Sequence, residues 1–322
     1  MRIFVTGGNG FIGSRVVRAL HAKGHQVRCL LRPASKTHRI DMVPYERQLG
    51  DVLDGVSLRA GMAGCDAVIH LASLSSWESM RSPKMREVVL VGTTNVLEAA
   101  RDSGKLRTVF VSTLTAVNGT KTPVVFDETA PFELNGKRLL YAGAKHEAEQ
   151  VCARFAKEGL PVVTVNPAET YGPEDDDLIT ASYILDALKD WPAMTLHGGT
   201  SVVHVEDVAQ GIVGALEKGR SGERYILGGE NLTIRRIVEV ALEVAGLKKW
   251  VLELPNWLIK AVVKTLAFLR LPTPVLPELL DYGTLFWWTS SAKAQGELGF
   301  KARPAREAIA AVVKWLKESG RA

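Results

Sequence analysis

Short runs of apolar residues alternate with longer amphipathic stretches through the first half of the chain. The apolar runs predict strands at residues 3–6, 26–31, 66–71, 108–112 and 161–166. The amphipathic stretches predict helices at residues 11–23, 83–102 and 141–157. Continuous Val, Ile and Leu are typical of strands buried on both faces of a parallel sheet. Their alternation with helices predicts an α/β fold with a doubly wound parallel sheet and right-handed crossovers.

The pattern is less regular beyond residue 173. Prolines recur between residues 255 and 277 and aromatic residues between 257 and 288, which is typical of a smaller lobe of mixed structure. Residues 202–216 again join an apolar run to a helical pattern, and we expect them to return to the sheet. The sequence therefore predicts a first domain of residues 1–170, rejoined by 198–218, and a second lobe of residues 171–197 and 219–322.

The composition excludes several classes of protein. The chain has 322 residues, of which 46% are hydrophobic and 23% charged, so it is not disordered, collagen-like or a coiled coil. Its net charge of +5 is too small and scattered to predict a nucleic-acid partner. No signal peptide and no spanning helix are expected, because the sequence lacks an h-region and a long uncharged apolar run.

Neither cysteines nor acidic residues predict a metal site. Cys29, Cys65 and Cys152 have no CxxC spacing, which excludes a thiolate zinc site and a disulfide scaffold and makes the cytoplasm the expected location. The acidic run at residues 174–177 is expected to cap the helix that follows it, since carboxylates complement the dipole at a helix start. We therefore expect no bound metal.

A glycine-rich loop carries the strongest functional signal. The segment TGGNGFIG at residues 6–13 follows the first predicted strand and opens the first predicted helix. Glycines at this spacing allow a tight turn, close approach of the backbone to a pyrophosphate, and close packing of helix on strand. The helix start offers N–H groups to phosphate. The loop predicts a Rossmann dinucleotide site in which the contacting residues are Gly7, Gly10, Phe11, Ile12 and Gly13.

The end of the second strand indicates which dinucleotide is bound. An acidic residue there would accept hydrogen bonds from a ribose 2′-hydroxyl, but this chain has Arg32, with Lys36 four residues later. A guanidinium can pair with a 2′-phosphate through two hydrogen bonds. The sequence therefore favours NADP(H) over NAD(H).

Tyr141 and Lys145 are candidates for proton transfer. Four residues apart in a predicted helix, they lie on one face. A tyrosine with its ordinary pKa of about 10 is a weak acid or base at neutral pH. A lysine cation nearby favours the phenolate, and we therefore expect the pKa of Tyr141 to be lowered.

These motifs together resemble the extended short-chain dehydrogenase/reductase family, within the NAD-dependent epimerase/dehydratase superfamily. The resemblance extends over nearly the full length of the chain. Besides the glycine loop and the Tyr141/Lys145 pair, it rests on GDV at residues 50–52, DAVIHLAS at 66–73, GTTN at 92–95, NPAETYGP at 166–173, VHVEDVA at 203–209 and LGF at 298–300. LRP at 31–33 and LPNWL at 254–258 are similar to the dihydroflavonol-reductase-like and 3β-hydroxysteroid-dehydrogenase-like branch.

The resemblance implies a role for each matching position. Tyr141 would be the general acid or base, and Lys145 would hold the ribose hydroxyls and lower the pKa of the tyrosine. The implied cofactor contacts are Asp51 and Val52 at the adenine, Leu71, Ala72 and Ser73 beneath the pyrophosphate and ribose, and Pro167 and Ala168 beside the nicotinamide.

Two positions depart from the family pattern. The family usually has a Ser or Thr that binds the substrate oxygen where this chain has Leu114, which leaves Thr113 or Thr115 as candidate substitutes. The family often has Asn where this chain has Val89. Loss of one donor to a developing oxyanion lowers rates by about 10²–10³-fold. The departures therefore keep open a dinucleotide-binding protein with weakened catalysis.

The expected function is NADP(H)-dependent hydride transfer between nicotinamide and a ketone, aldehyde or secondary alcohol on a small hydrophobic substrate. A nucleotide-sugar epimerase or dehydratase is the alternative, since the second lobe also offers basic residues for a substrate diphosphate: Arg220, Arg224, Arg235 and Arg236. The apolar segment at residues 257–269 predicts, in decreasing order of preference, a core helix, a lid over an apolar pocket, or a contact with a membrane surface. The sequence does not determine the oligomeric state, and a homodimer is one alternative.

Overall fold

The computed structural model describes residues 1–76, 78–269, 271 and 277–322. Its strands are β1 (Arg2–Thr6), β2 (Gln26–Leu31), β3 (Glu46–Leu49), β4 (Ala67–His70), β5 (Arg107–Val111), β6 (Val125–Phe126), β7 (Val162–Pro167), β8 (Glu169–Tyr171), β9 (Ala193–Leu196), β10 (Gly199–His204), β11 (Arg224–Leu227), β12 (Glu230–Thr233), β13 (Val251–Leu254) and β14 (Phe286–Thr289). Its α-helices are α1 (Phe11–Ala22), α2 (Gly55–Met62), α3 (Pro83–Asp102), α4 (Leu140–Lys157), α5 (Ser182–Lys189), α6 (Val205–Lys218), α7 (Ile234–Ala245), α8 (Asn256–Phe268), α9 (Pro277–Gly283), α10 (Ala292–Leu298) and α11 (Ala305–Glu318).

The largest sheet formed by the described residues has seven parallel strands in the order β11-β7-β5-β4-β1-β2-β3. Helices α1 and α6 pack together on one face, and α2, α3 and α4 on the other. This is the predicted doubly wound α/β fold. The strand order reverses between β1 and β4, which creates a crevice at the carboxyl ends of these strands.

Local sequence explains the helix boundaries. Ser82 accepts a hydrogen bond from the backbone N–H of Lys84 and Pro83 occupies the first turn, so α3 begins where it was predicted. Thr233 caps α7 in the same way, and Gly246 ends that helix in a left-handed conformation. Helix α1 differs, because Gly10 precedes it and no side chain caps its start.

The elements of the first half that were not predicted include β3 and α2. Strand β3 has the sequence ERQL and lies at the edge of the sheet with its side chains largely in solvent, so it lacks the apolar run of a buried strand. Helix α2 is short, and Asp54 caps it through the N–H of Val56. Both elements depend on neighbours more than on their own pattern.

The chain returns to the large sheet by a different route from the one predicted. Helix α6 packs against that sheet, as expected for residues 205–216, but β10 belongs to a second sheet with β12, β14, β6 and β8. The strand that joins the large sheet is β11, which pairs with β7 and lies in the segment 219–322 assigned to the second lobe. A four-residue strand with one long-range partner has no distinctive pattern in the sequence.

The second lobe places two further elements beside the crevice. Strands β9 and β13 form a parallel pair in which Met194 aligns with Leu252. Helix α8 follows β13, and Asn256 at its start binds both the backbone N–H and the carbonyl of His197 after β9. Phe286 and Trp287 of β14 are buried.

Candidate active site

A single cavity of about 1360 Å³ runs along the carboxyl ends of the large sheet and into the second lobe. Every residue predicted for the site lines it: Gly7, Gly10, Phe11, Ile12, Gly13, Arg32, Lys36, Asp51, Val52, Leu71, Ala72, Ser73, Thr113, Tyr141, Lys145 and Pro167. We call the end formed by the glycine loop and the strand ends the cofactor half. The end formed by β9, β10, α7 and α8 is the substrate half.

The glycine loop has the geometry required for close contact with a ligand. Gly7 has a positive φ of 72°, and a Cβ there would lie 2.7 Å from the backbone nitrogen of Ala72. A Cβ at Gly13 would lie 2.0 Å from the carbonyl oxygen of Gly7. The start of α1 has no capping side chain and no acidic residue in its first turn. An uncapped helix start in a cavity fits the pyrophosphate of a dinucleotide.

Arg32 and Lys36 lie in the loop after β2, at the edge of the cofactor half. The loop is ordered by two contacts: the backbone N–H of Arg32 donates to Ser35 Oγ, and Asn9 Nδ2 donates to the carbonyl of Lys36. Within the residues that the structure describes, neither side chain has an anionic partner. Both cations are thus exposed beside the glycine loop.

The GTTN motif at residues 92–95 packs against Val52, one of the two predicted adenine contacts. Asn95 donates a hydrogen bond to the carbonyl of Val52, and a Cβ at Gly92 would lie 2.8 Å from a methyl group of Val52. The Asp51 carboxylate accepts a hydrogen bond from the N–H of Leu53, and Asp51 lines the cavity. The motif therefore holds the loop after β3 in place.

Two buried groups support the segment after β4. His70 bridges the hydroxyls of Thr6 and Thr93, which lie 2.7 Å from Nδ1 and 3.1 Å from Nε2, so both ring nitrogens of this buried residue have partners. Burial lowers the pKa of His70 to about 3, with a smaller contribution from the Lys145 cation, so the ring is neutral. The Ser73 hydroxyl is buried in the cavity wall beside the Tyr141 phenol and makes no hydrogen bond of standard geometry among the described residues.

Tyr141 and Lys145 lie one turn apart on α4 and line the cavity together. Lys145 Nζ donates to the carbonyl of Val111 at 2.9 Å and lies 4.9 Å from the centre of the Phe110 ring. Burial lowers the pKa of Lys145 to about 8, against an opposing effect of the Glu149 carboxylate.

The expected lowering of the tyrosine pKa is not observed. Burial raises the pKa of Tyr141 to about 12, and the nearby Ser73 hydroxyl opposes this only in part. The reason is geometric, since Lys145 is directed to the carbonyl of Val111 and removal from water dominates at the phenol. The phenol is therefore protonated at neutral pH.

The sequence interpretation missed Glu149, although it continues the same face of α4 at the next turn. Its carboxylate is buried and accepts hydrogen bonds from the Ser112 hydroxyl, from Asn166 Nδ2 at 2.6 Å and from Arg224 Nη1 at 3.2 Å. Burial raises the pKa of Glu149, and the Arg224 guanidinium is the largest opposing influence. The Tyr141, Lys145, Glu149 spacing of four residues was the available signal.

The hydroxyl expected beside Tyr141 is only partly replaced. Leu114 is buried, and Thr113 and Thr115 line the cavity on either side of it. Thr113 Oγ1 accepts a hydrogen bond from the N–H of Thr115 and lies 3.3 Å from its hydroxyl. Both threonine hydroxyls are therefore already engaged with each other. Val89 is buried in α3.

The substrate half has mainly apolar walls. Its described lining includes residues of β9, α7, α8 and β14 and the residue before β14: Leu196, Ile234, Val238, Leu258, Ile259, Val262, Val263, Leu285 and Trp287. Tyr282 also lines it and accepts a hydrogen bond from the N–H of Ala142 beside Tyr141. Tyr282 had no recognisable motif, whereas the four α8 residues belong to the segment 257–269, for which a lid over an apolar pocket was one of the three expectations.

The carboxyl group of Glu169 on β8 borders this apolar half. Burial raises the pKa of Glu169 to about 7, against opposing effects of the Thr200 and Tyr183 hydroxyls. Among the described residues, the buried Tyr183 hydroxyl lacks a hydrogen-bond partner of standard geometry. Sequence reasoning did not identify this group.

The four arginines proposed to hold a substrate diphosphate lie outside the described cavity lining. Each is paired with an acidic residue: Arg220 with Glu297, Arg224 with Glu149, Arg235 with Glu239, and Arg236 with Glu239 and Glu243. Arg220, Arg235 and Arg236 form ion pairs at the protein surface, whereas Arg224 on β11 pairs with the buried Glu149 of α4.

The acidic loop is held by hydrogen bonds and ion pairs. The Asp175 carboxylate accepts from the N–H groups of Ile179, Thr180 and Ala181, ahead of α5, much as a capping role predicts. Asp176 pairs with Arg39 at 2.7 Å and with Arg321 at 3.3 Å. No cluster of metal-ligating side chains occurs in the described parts of the chain.

Comparison with known proteins gives the family. Residues 3–228 match the NAD dependent epimerase/dehydratase family. The chain is 32% identical to a putative dihydroflavonol 4-reductase of Synechocystis sp., over 98% of this chain and 95% of that protein. It is 33% identical to the 4-hydroxy-2-methyl-3-oxo-4-farnesyl-3,4-dihydroquinoline-1-oxide ketoreductase of Stigmatella aurantiaca, over 79% of this chain and 76% of that protein.

A solved structure agrees with the sequence relatives. The dTDP-glucose 4,6-dehydratase DesIV of Streptomyces venezuelae, which has NAD bound, superimposes with a TM-score of 0.79 at 27% identity. The superposition covers 99% of this chain and 97% of that one. The fold, the glycine loop and these matches establish an NAD(P)-dependent enzyme, and the chain belongs to the NAD-dependent epimerase/dehydratase family.

Proposed function

We propose that the protein is an NADP(H)-dependent reductase of a ketone or aldehyde carried on a small hydrophobic substrate. The observation that carries this proposal is the pairing of a protonated Tyr141 with an apolar substrate half. A neutral phenol can donate a proton to a carbonyl oxygen, which needs one as it becomes a hydroxyl. An apolar cavity selects hydrocarbon substrates and excludes water.

The residues divide the chemistry among them. A bound nicotinamide supplies the hydride when reduced and accepts it in the reverse direction. Tyr141 donates the proton to the substrate oxygen, and Lys145, held by the carbonyl of Val111, orients the ribose and favours the charge left on the phenolate. Thr113 is the nearest candidate to hold the substrate oxygen in place of the hydroxyl that Leu114 replaces.

Arg32 and Lys36 support the NADP(H) preference. They are exposed cations beside the uncapped start of α1, with no anionic partner among the residues described. A ribose 2′-phosphate would provide that partner, whereas a 2′-hydroxyl would leave both cations with water alone.

The two relatives with reductase names also support carbonyl reduction. The epimerase or dehydratase alternative is less well supported, because a substrate diphosphate needs cations in the substrate half. The arginines that kept this alternative open are engaged in ion pairs elsewhere.

A screen of NADPH oxidation tests the proposal. The wild type is assayed with a panel of hydrophobic ketones and aldehydes, with nucleotide sugars as the comparison panel. We expect turnover on the carbonyl panel, a higher kcat/KM for more apolar members, and none in Tyr141→Phe. Turnover of nucleotide sugars alone would contradict the proposal.

The same screen distinguishes a binding protein with weakened catalysis. NADPH binding without turnover on either panel would indicate that case. Activity that appears only in Leu114→Ser would then locate the defect at the missing hydroxyl.

A further inference from the structure

Helix α8 has two apolar faces, although only one of them contacts the cavity. Leu258, Ile259, Val262 and Val263 line the substrate half. Among the described side chains of α8, only Val263 is fully buried. The prediction that residues 257–269 form a core helix is therefore wrong, because the second lobe covers this helix on one side alone.

The opposite face of α8 presents aromatic residues to solvent. Trp257 is 72% exposed and Phe268 is 86% exposed. They are eleven residues apart, so at 100° per residue they differ by about 20° around the helix and are about 16 Å apart along it. Lys264 falls between them on the same line and is also exposed. We call Trp257, Lys264 and Phe268 the outer face of α8.

The strand pair before α8 extends this apolar surface. Trp250 and Trp191 are 72% and 63% exposed, and their ring centroids are 6.3 Å apart. Met194 and Leu252 are aligned neighbours of the β9–β13 pair and are also exposed. Large apolar side chains are therefore concentrated on adjoining elements, and such concentrations mark interaction surfaces.

The charge around α8 is positive. Lys260 and Lys264 are one turn apart on α8. Burial lowers the pKa of Lys260, and the nearby cations Arg138 and Lys121 lower it further. Arg138 is paired with Asp281, which leaves the lysines in excess. Tryptophan and lysine on one helix surface are typical of helices that lie in the plane of a membrane interface.

We propose that the protein docks on anionic lipid surfaces through the outer face of α8 and through the exposed Trp191 and Trp250, which precede β9 and β13. In the part of the chain that the structure describes, no helix is long and apolar enough to cross a membrane, so the contact is peripheral. The docked protein would present the wall of its substrate half to the lipid phase, where hydrophobic compounds concentrate.

A second copy of the chain is a less suitable occupant. In a two-fold dimer the same patch contacts itself, which would bring Lys260 and Lys264 toward their equivalents in the partner. Like charges buried at an interface are unfavourable, whereas anionic headgroups neutralise them. The charge therefore favours lipid over self-association.

Sedimentation with vesicles tests the proposal without any assay of activity. Purified full-length protein is mixed with phosphatidylcholine vesicles that contain or lack phosphatidylglycerol. We expect binding to the anionic vesicles only, and less binding as salt is raised. The double variant Trp257→Ser/Phe268→Ser is expected to bind at least about tenfold more weakly. Lys264→Gln is expected to bind about fivefold more weakly.

A matched control separates this surface from general hydrophobicity. Val56, which is 69% exposed on α2, is replaced by Ser and is expected to leave binding unchanged. Circular dichroism confirms that each variant is folded. Wild type that does not sediment, or a double variant that binds as the wild type does, overturns the proposal. A dimer that the double variant dissociates overturns it in favour of self-association. Each result is independent of whether the protein reduces carbonyls.

Discussion

The two halves of the cavity are built in different ways. The cofactor half comes from consecutive segments at the ends of β1, β2, β3 and β4, and its close contacts are between backbone atoms of Gly7, Gly13 and Ala72. The substrate half comes from side chains more than 50 residues apart, such as Leu196 and Leu258. One half is specified by local motifs and the other by tertiary packing.

This difference explains what each half can do. Backbone groups at the strand ends cannot be varied by substitution, so they suit a ligand shared by many enzymes. Side chains on α7, α8 and β9 can change independently, so they suit a substrate particular to one enzyme. Tyr141 and Lys145 lie at the junction of the two halves. Variants should therefore affect either the cofactor or the substrate, except at this junction.

The largest effect is expected at the junction. Tyr141→Phe removes the proton donor, and we expect kcat to fall by about 10²–10⁴-fold. The dissociation constant of NADPH should change less than about threefold, because α4 keeps its packing and Lys145 keeps its bond to Val111. Steady-state kinetics and fluorescence titration of NADPH measure the two quantities. Equal losses in both would show that Tyr141 belongs to the cofactor half instead.

The next effect is expected in the backbone of the cofactor half. Gly13→Ala places a Cβ 2.0 Å from the carbonyl oxygen of Gly7, so the loop must move. We expect the free energy of unfolding to fall by about 1–3 kcal/mol and NADPH affinity to fall at least tenfold. Gly296→Ala in α10 is the control, since its Cβ meets no atom within 4 Å. Thermal unfolding that is the same for both variants would contradict this.

The sequence predicted these two halves unequally. Strands of continuous Val and Ile and the glycine loop carry their own local signals, which explains why the large sheet and the cofactor contacts were found. Strand β3 was not predicted because it is polar and lies at an edge of the sheet. Strand β11 was not predicted because its partner strand is remote in sequence. Glu149 and Glu169 were not identified from the sequence because burial raises their pKa values, and burial is known only from the folded chain.

A smaller effect is expected at the outer edge of the cofactor half. Arg32→Asp places a carboxylate where we expect the 2′-phosphate, so it should weaken NADP(H) through repulsion and leave NAD(H) nearly unchanged. We expect the ratio of the two dissociation constants to change by at least about tenfold. Titrations with both dinucleotides measure this ratio. A constant ratio would mean that Arg32 is a solvated surface residue. Arg59→Asp on α2 serves as the matched control.

The smallest effect is expected from a charge in the substrate half. The pKa of Glu169 is about 7, so its carboxyl is neutral at pH 6 and charged at pH 8. A charge disfavours apolar ligands, so KM for a hydrophobic substrate should rise a few-fold across that range. Glu169→Gln should remove the rise, while the NADPH dissociation constant should vary with pH in the same way in both proteins. A KM profile that keeps its slope in the variant would exclude Glu169 as the cause.

The pH dependence of stability tests the pKa of Glu169 a second time, without any substrate. The folded pKa of about 7 exceeds the ordinary value of 4.5, so the folded protein binds more protons between these pH values. The contribution of Glu169 is therefore complete below pH 4.5 and is lost as the pH rises through 7. His70 has the opposite sign, because its pKa falls from 6.5 to about 3 and its stability contribution grows as the pH rises. His70 contributes equally to both proteins, so its effect cancels in the difference in melting temperature between wild type and Glu169→Gln. We expect that difference to shift in favour of the variant as the pH increases from 4.5 to 7. A difference that is independent of pH would place Glu169 in water and make the substrate half more polar than its walls indicate.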